Sequence, residues 1–356
     1  MIHARLKTYR KTGSSVEVKA MEKPFIAHLN AVLNGESLSR HDAGIAMAEL
    51  FTDAVPAEQK AAFLAALQVR GETAEELAGF LSYIRAQVRP VPGCADAVDC
   101  VGTGGDGAGT FNISTAAAVL AAACGVPMAK HGNRGVSSQS GSANVIDALG
   151  ICKPDSPEAV VAQLRKHGFV FLFAPHFSQA FAKVAPLRQA MGVRTCFNLF
   201  GPMVNPASPK RQVIGVYAAG KQAAMAETLR LTGSQEVMVI HSADHLDEFS
   251  IATPTQVLHL KNGAIRDYSI CPEDAGLARA SLAEVQGGSP EVNAEIIRAV
   301  LCGRERGAKR DIVLLNTAAV LVVAGQAADF RAGAALAAAA IDDGRAATLL
   351  ENLRAG

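Results

Sequence analysis

One segment limits what this chain can fold into more than any other: Asp99-Cys-Val-Gly-Thr-Gly-Gly-Asp-Gly-Ala-Gly-Thr-Phe-Asn-Ile-Ser-Thr115. A short strand runs into a loop with glycines at 102, 104, 105, 107 and 109, and a helix opens near Ser114-Thr115. Glycines let the backbone approach an anion closely, and successive free N–H groups form an anion-binding nest. The helix N-terminus adds unpaired donors and the positive end of its dipole. A plain strand-to-helix turn needs fewer glycines than this, so the surplus points to a phosphate-bearing ligand.

Gly102, Gly104 and Gly107 also satisfy the dinucleotide pattern G-x-G-x-x-G. That fold wants the helix to open at the third glycine and an acid about 20 residues further on. Here the helix starts later and the next strand leads into Lys130-His131, with no acid. A P-loop is excluded as well, because no G-K-[ST] follows.

A second loop, Lys130-His-Gly-Asn-Arg-Gly-Val-Ser-Ser-Gln-Ser-Gly-Ser142, follows the next strand and is expected beside the first. Lys130 and Arg134 bring positive charge, Ser137, Ser138, Ser140 and Ser142 bring donors, and Asn133 brings both donor and acceptor. Asp247-Glu248 follows a later strand. Adjacent acids on a loop are usually just solvated, but beside a ligand with several phosphate charges they suit Mg²⁺, which combines a carboxylate or two with substrate oxygens. Arg188 and Arg194 flank Met191-Gly192, and either could be a planar fork for a substrate carboxylate or a solvated charge.

The organisation around these motifs is two-part. Pro24 to Val88 reads as short helices without a strand, with Ser39 capping one and Thr73 with Glu76 forming a capping box. Leu77, Phe80, Leu81, Ile84 and Val88 fall on one face of the helix that follows, and Gly71 closes the helix before it. Pro90-Val-Pro-Gly93 ends the helical block. Strands and helices then alternate: Ala97 to Val101, Val126 to Ala129, Phe169 to Phe173, Val213 to Tyr217 and Glu236 to His241 are strands, and Asn262-Gly263 joins a hairpin. The expected fold is therefore α/β: a small, mainly helical domain hinged to a larger domain with a central, mostly parallel sheet flanked by helices. The expected division is an extension over 1–20, a discontinuous helical domain over 21–92 plus about 155–195, and an α/β domain over 93–154 plus 196–356.

Composition narrows the partners. Lys and Arg total 34 against 33 Asp and Glu, so no global basic field serves nucleic acid or a membrane surface. The 7 cysteines are dispersed without a C-x-x-C pair, which suits reduced thiols and a cytoplasmic location. The basic N-terminal stretch has no apolar h-region, so it is not read as a secretory signal. Ile312 to Gly325 is apolar but too short to span a bilayer, and is expected to be a buried core helix.

In this order, Gly102-Thr-Gly-Gly-Asp-Gly107, Asn112-Ile-Ser-Thr115, Lys130-His-Gly-Asn-Arg134, Val193-Arg-Thr195, Phe197-Asn198, Gly201-Pro202 and Asp247-Glu248 resemble the anthranilate phosphoribosyltransferase family. The resemblance runs from about Phe25 to the C-terminus. It implies transfer of the phosphoribosyl group of phosphoribosyl pyrophosphate to anthranilate, in tryptophan biosynthesis, by a homodimer paired through its helical part. It implies that Gly102, Thr103, Gly105, Asp106, Thr110, Asn112, Ser114, Thr115, Lys130 and Ser142 hold the donor. Ser114, Asp247 and Glu248 would hold magnesium, as two ions. His131, Asn133, Arg188 and Gly201 would line the anthranilate path, and Lys130, Asp106 and Arg188 would carry the catalytic work.

The chain also departs from the family pattern. Phe173-Ala-Pro-His-Phe-Ser-Gln-Ala180 has Ser178-Gln179 where the family has His-Pro, and His176 lies two residues earlier. Gln139 and Asn144 stand where a basic residue and an Asp are common, and His245 replaces a usual glycine. Ser178-Gln179 motivates an alternative, a related phosphoribosyltransferase with a different aromatic acceptor. A pyrimidine nucleoside phosphorylase shares the architecture but has no use for a carboxylate fork. A non-catalytic paralogue that binds nucleic acid would need a basic groove and degraded donor loops, and the near-zero net charge and intact motifs speak against it.

Overall fold

The computed structural model describes residues 24–94, 96–135 and 140–355. The extension expected over 1–20, and Ser137, Ser138 and Gln139 of the second loop, lie outside the described residues.

The helical part holds α1 (Phe25–Leu33), α2 (Arg40–Leu50), α3 (Ala57–Arg70) and α4 (Ala74–Ala86). Local capping sets its boundaries. Ser39 Oγ accepts from Asp42 N at 3.1 Å at the start of α2, and the Thr73–Glu76 capping box starts α4. The Glu76 carboxylate is buried, yet it accepts from Leu38 N and Thr73 N at 2.9 Å each and from the Arg70 guanidinium. One side chain thus starts α4 and ties the α1–α2 connection to it, which offsets the cost of burying its charge.

Beyond the proline–glycine break come β1 (Val98–Gly102), α5 (Ile113–Ala123), β2 (Met128–Gly132), α6 (Ser142–Leu149), α7 (Pro157–His167) and β3 (Phe169–Phe173). Next are α8 (Ala174–Phe177), α9 (Ala180–Met191), α10 (Phe197–Phe200), β4 (Arg211–Gly215), α11 (Gln222–Leu231), β5 (Glu236–Ser242), β6 (Thr255–Lys261) and β7 (Ala264–Ile270). The chain closes with α12 (Pro290–Leu301), α13 (Ala308–Val323), α14 (Phe330–Asp342) and α15 (Arg345–Ala355).

The strands form one 7-stranded sheet in the order β3-β2-β1-β4-β5-β6-β7. The strands from β3 to β5 are parallel, and β6 and β7 add an antiparallel hairpin at one edge. Asn262 and Gly263 turn that hairpin with φ of 53° and 77°, as a two-residue turn between twisted strands requires.

Period-two alternation sends the strand residues into opposite layers. Val98, Cys100, Val213, Met238 and Ile240 pack beneath α5, α6 and α12 to α15. Ile214, Val216, Val237 and Val239 pack against the helical part, α10 and α11. The helical part therefore meets the sheet through this layer: α4 packs on α11, and α11 covers β5 and β6. The expected core helix is α13, and its polar break is satisfied: Asn316 exchanges hydrogen bonds with the Phe249 backbone at 3.0 Å in both directions. Among the described residues no helix is long and apolar enough to cross a membrane.

Two local expectations change. Lys130 and His131 lie within β2, not on the loop after it, because the strand is buried on both faces and carries on to Gly132. Residues 155–195, expected with the helical part, divide. Val160 and Leu164 of α7 pack on Val170 and Leu172 of β3, while α9 touches α3. The apolar face of α7 is short and β3 precedes the next helix immediately, so α7 covers its own strand.

Candidate functional site

β1 and β4 are neighbours although β2 and β3 lie between them in sequence, so the chain leaves their C-terminal ends in opposite directions. Such a switch point opens the crevice where parallel α/β sheets take ligands. Its floor is Gly102 paired with Gly215. The Asp247 loop lies across both. A Cβ on Gly102 would sit 2.3 Å from Asp247 Oδ2, and one on Gly215 would sit 1.6 Å from the Asp247 carbonyl oxygen. Only this glycine pair lets the acidic loop come down on the sheet edge. Asp247 Oδ2 then accepts from Gly104 N at 2.6 Å, which locks the two loops together.

The glycine loop leaves β1 with Gly104, Gly105, Gly107 and Gly109 all at positive φ, the conformation that turns backbone N–H groups into a nest. Thr103 is held at both ends: its N–H donates to Gly215 O at 2.9 Å and its hydroxyl accepts from Tyr217 N at 3.0 Å. Asp106 Oδ1 accepts from Ala108 N at 3.1 Å. The Gly105 carbonyl receives the Arg194 guanidinium, which stacks 4.2 Å over the Tyr217 ring. Thr110 bridges to Gln286. Asn112 is the N-cap residue of α5, and Ser114 N, in the first turn, donates to Glu248 Oε1 at 3.2 Å. The Thr115 hydroxyl is buried with no hydrogen-bond partner among the described residues.

Three carboxylates therefore converge on the glycine nest. Burial first, and then the charges of Glu248 and Asp106, drive the Asp247 carboxyl well above the usual range. Burial pushes Glu248 up to about 7, with Lys130 opposing. Acids held this way seek a proton or a cation.

Lys130 is buried in β2 and donates to the Cys100 carbonyl across the strand pair. Beside it lies Asp99, which the sequence reading passed over. Burial pushes Asp99 up to about 6, while Lys130, Asn205 and the backbone N–H of His131 pull the other way. Its contacts are Asn205 Nδ2 at 2.8 Å and His131 N at 3.2 Å. A lone acid inside an apolar strand was the available signal, since such a charge is buried only when paired. Gly215 was missed too, and its need shows only once Asp247 is placed above it.

On the other side, His131 Nδ1 lies 3.3 Å from Gly201 O, and burial holds this imidazole down to about 4, so it is neutral. Asn133 accepts at its carbonyl from Ala143 N at 3.1 Å and from Ser142 Oγ at 3.3 Å, folding the second loop onto α6. Arg188 stands on α9 with its guanidinium 5.7 Å from the Phe197 ring centroid, and burial lowers its pKa. Among the described residues its guanidinium has no carboxylate and no hydrogen-bond partner, while its carbonyl accepts from Gly192 N at 3.2 Å. Ser178 accepts from Ala180 N at 3.2 Å, at the start of α9. His176 is turned away, its Nδ1 3.3 Å from Pro154 O and its ring edge-on to Phe173, so it does not take the place of the missing family histidine.

Comparison with known proteins matches residues 27–88 to the glycosyl transferase family, helical bundle domain, and residues 94–347 to the glycosyl transferase family, a/b domain. The chain is 50% identical over 325 residues to the anthranilate phosphoribosyltransferase of Methylocella silvestris, covering 91% of this chain and 93% of that protein. It also superposes on the crystal structure of anthranilate phosphoribosyltransferase from Thermus thermophilus with a TM-score of 0.85 and 39% identity, over 92% of this chain and 98% of that one. The Saccharomyces cerevisiae enzyme in complex with PRPP and Mg matches with a TM-score of 0.83 and 27% identity, over 92% and 96%.

Proposed function

Because this chain belongs to the anthranilate phosphoribosyltransferase family, we propose that it transfers the phosphoribosyl group of phosphoribosyl pyrophosphate to the amine of anthranilate and releases pyrophosphate. One observation carries the reading: Asp106, Asp247 and Glu248 are gathered beside a glycine nest at the switch point. Acids packed next to an anion cradle make chemical sense when a cation joins the two.

Ser114, Asp247 and Glu248 would hold magnesium, as two ions, and the charge of the three acids together with the orphaned Thr115 hydroxyl fits a metal-bound polyphosphate. When bound, magnesium neutralises the pyrophosphate oxygens. Gly102, Thr103, Gly105 and Asp106 cradle the donor from the β1 side. Thr110, Asn112, Ser114 and Thr115 present the N-terminus of α5 to a phosphate. Ser142 closes the second loop beside them. Lys130 is a buried positive charge behind the acids, offsetting Asp99 and Glu248.

Arg188 takes the anthranilate carboxylate, and His131, Asn133 and Gly201 line its path. In the reaction the bond from ribose C1 to pyrophosphate breaks as the bond from C1 to the aniline nitrogen forms. The amine is already neutral at pH 7 and its proton passes to solvent, so no strong base is called for. Alignment of the partners and offsetting of the departing charge do the work.

Mixing the protein with phosphoribosyl pyrophosphate, magnesium and anthranilate should quench anthranilate fluorescence steadily, and omitting any one should stop it. No turnover with all three present overturns the reading. Exposed Ile26 and Leu33 on α1 and Val69 on α3 support pairing of two copies through the helical part. The cysteines are free thiols, which suits the cytoplasm.

A further inference from the structure

We propose that Asn293, on the first turns of α12, is a positioning residue for the phosphoribosyl donor and acts through the side chain of Asn112. The inference rests on the donor-binding reading above and adds to it a residue outside every motif of the site.

Asn293 is only 2% exposed. Its Oδ1 accepts from Gly288 N at 2.7 Å, and its Nδ2 donates to Asn112 Oδ1 at 3.0 Å. Asn112 passes the chain on, since its Nδ2 donates to the Ser140 carbonyl at 3.1 Å. The two ends of this relay are backbone groups of opposite kind. The Gly288 N–H can only donate and the Ser140 C=O can only accept. Neither amide can therefore turn over without placing two acceptors or two donors face to face, and the direction of the whole relay is fixed.

This fixed direction decides what Asn112 can offer a ligand. Its Oδ1 already takes Asn293 Nδ2 and the Ser140 hydroxyl, the latter at 3.2 Å. One Nδ2 hydrogen is spent on Ser140 O. What remains is a single N–H, on the N-cap residue of α5. A donor in that place suits a phosphate oxygen, and an amide turned the other way would set a lone pair against it. The same relay ties the Ser140 loop and the α12 entry to the glycine loop, which Gly287 N also braces by donating to Gly109 O at 2.9 Å.

The test is a double-mutant cycle read by calorimetric titration with phosphoribosyl pyrophosphate and magnesium. Asn293→Ala should weaken donor binding by about tenfold, the cost of losing one oriented hydrogen bond. It should leave the KM for anthranilate within twofold or so. In an Asn112→Ala background the same change should cost nothing further, because the residue through which it acts is gone. Asn293→Asp keeps an acceptor for Gly288 N and so preserves the α12 entry, yet cannot donate to Asn112. It should match the alanine variant in donor affinity with a thermal midpoint near wild type, and it carries the test if the alanine variant fails to fold. Wild-type donor affinity in Asn293→Asp, or penalties that multiply in the double variant, overturns the proposal. Failure of the wild-type protein to bind the donor overturns the functional reading itself.

Discussion

Around the glycine loop, almost every polar group is tied to the backbone of a parallel sheet, whereas around Arg188 the groups stand on short helices and touch little. Thr103, Asp247, Glu248, Lys130 and Asn112 each make a hydrogen bond that a neighbouring strand or helix end dictates. Arg188 rests on one aromatic ring, and Ser178 bonds only to the backbone of the two helices it joins, at Ala174 O and Ala180 N. A backbone-built half tolerates few residue types, and a side-chain-built half can be rewritten without disturbing the fold. The departure at Ser178-Gln179 falls on the second half, whereas Gln139, Asn144 and His245 depart from the family pattern in the segments of the first.

The backbone-built half is most exposed to change at Gly215. Gly215→Ala places a methyl group where the Asp247 carbonyl now lies, 1.6 Å away, so the acidic loop must lift from the sheet. A displacement of that size at a reacting centre should lower kcat/KM by roughly a hundredfold or more. Steady-state kinetics on the folded variant check it. A near-normal rate would mean that the Asp247 loop is not held where the glycine pair puts it.

His131 belongs to both halves, lying in β2 and touching Gly201. Burial holds it down to about 4, below the value near 6.5 expected in the unfolded chain. The unfolded state thus binds the extra proton first, and stability falls as pH drops from about 6.5 toward 4, by up to about 3 kcal/mol. Asp99 works in the opposite sense. Its carboxyl is pushed up to about 6 from the value near 4 expected in the unfolded chain, so stability falls as pH rises from about 4 to about 6. Urea unfolding of His131→Gln across this window should lose the acid destabilisation and expose the opposite slope of Asp99. An unchanged profile would mean that His131 is not buried neutral.

Much of this was legible in the sequence wherever a local rule governs. The Ser39 cap, the Thr73–Glu76 box and the Asn262-Gly263 turn are short-range chemistry, and each is formed. The glycine loop was readable because positive φ leaves its mark residue by residue. Lys130 and His131 were placed on a loop because a charged pair looks like a strand's end, yet β2 extends past them, and Asp99 with the Cys100 carbonyl supplies the partners. Asn205, Gly215 and Asn293 carried no signal at all. Each takes its meaning from a contact with a distant segment, and a single asparagine or glycine in an ordinary strand, loop or helix has no period to betray it.

The division of labour between the two halves is tested most directly by titrating Arg188→Ala with each substrate separately. Affinity for phosphoribosyl pyrophosphate with magnesium should stay at the wild-type value. Anthranilate binding should weaken by about tenfold to a hundredfold, the range for losing a charged hydrogen-bonding partner. Unchanged anthranilate affinity, or an equal loss for both substrates, would contradict it.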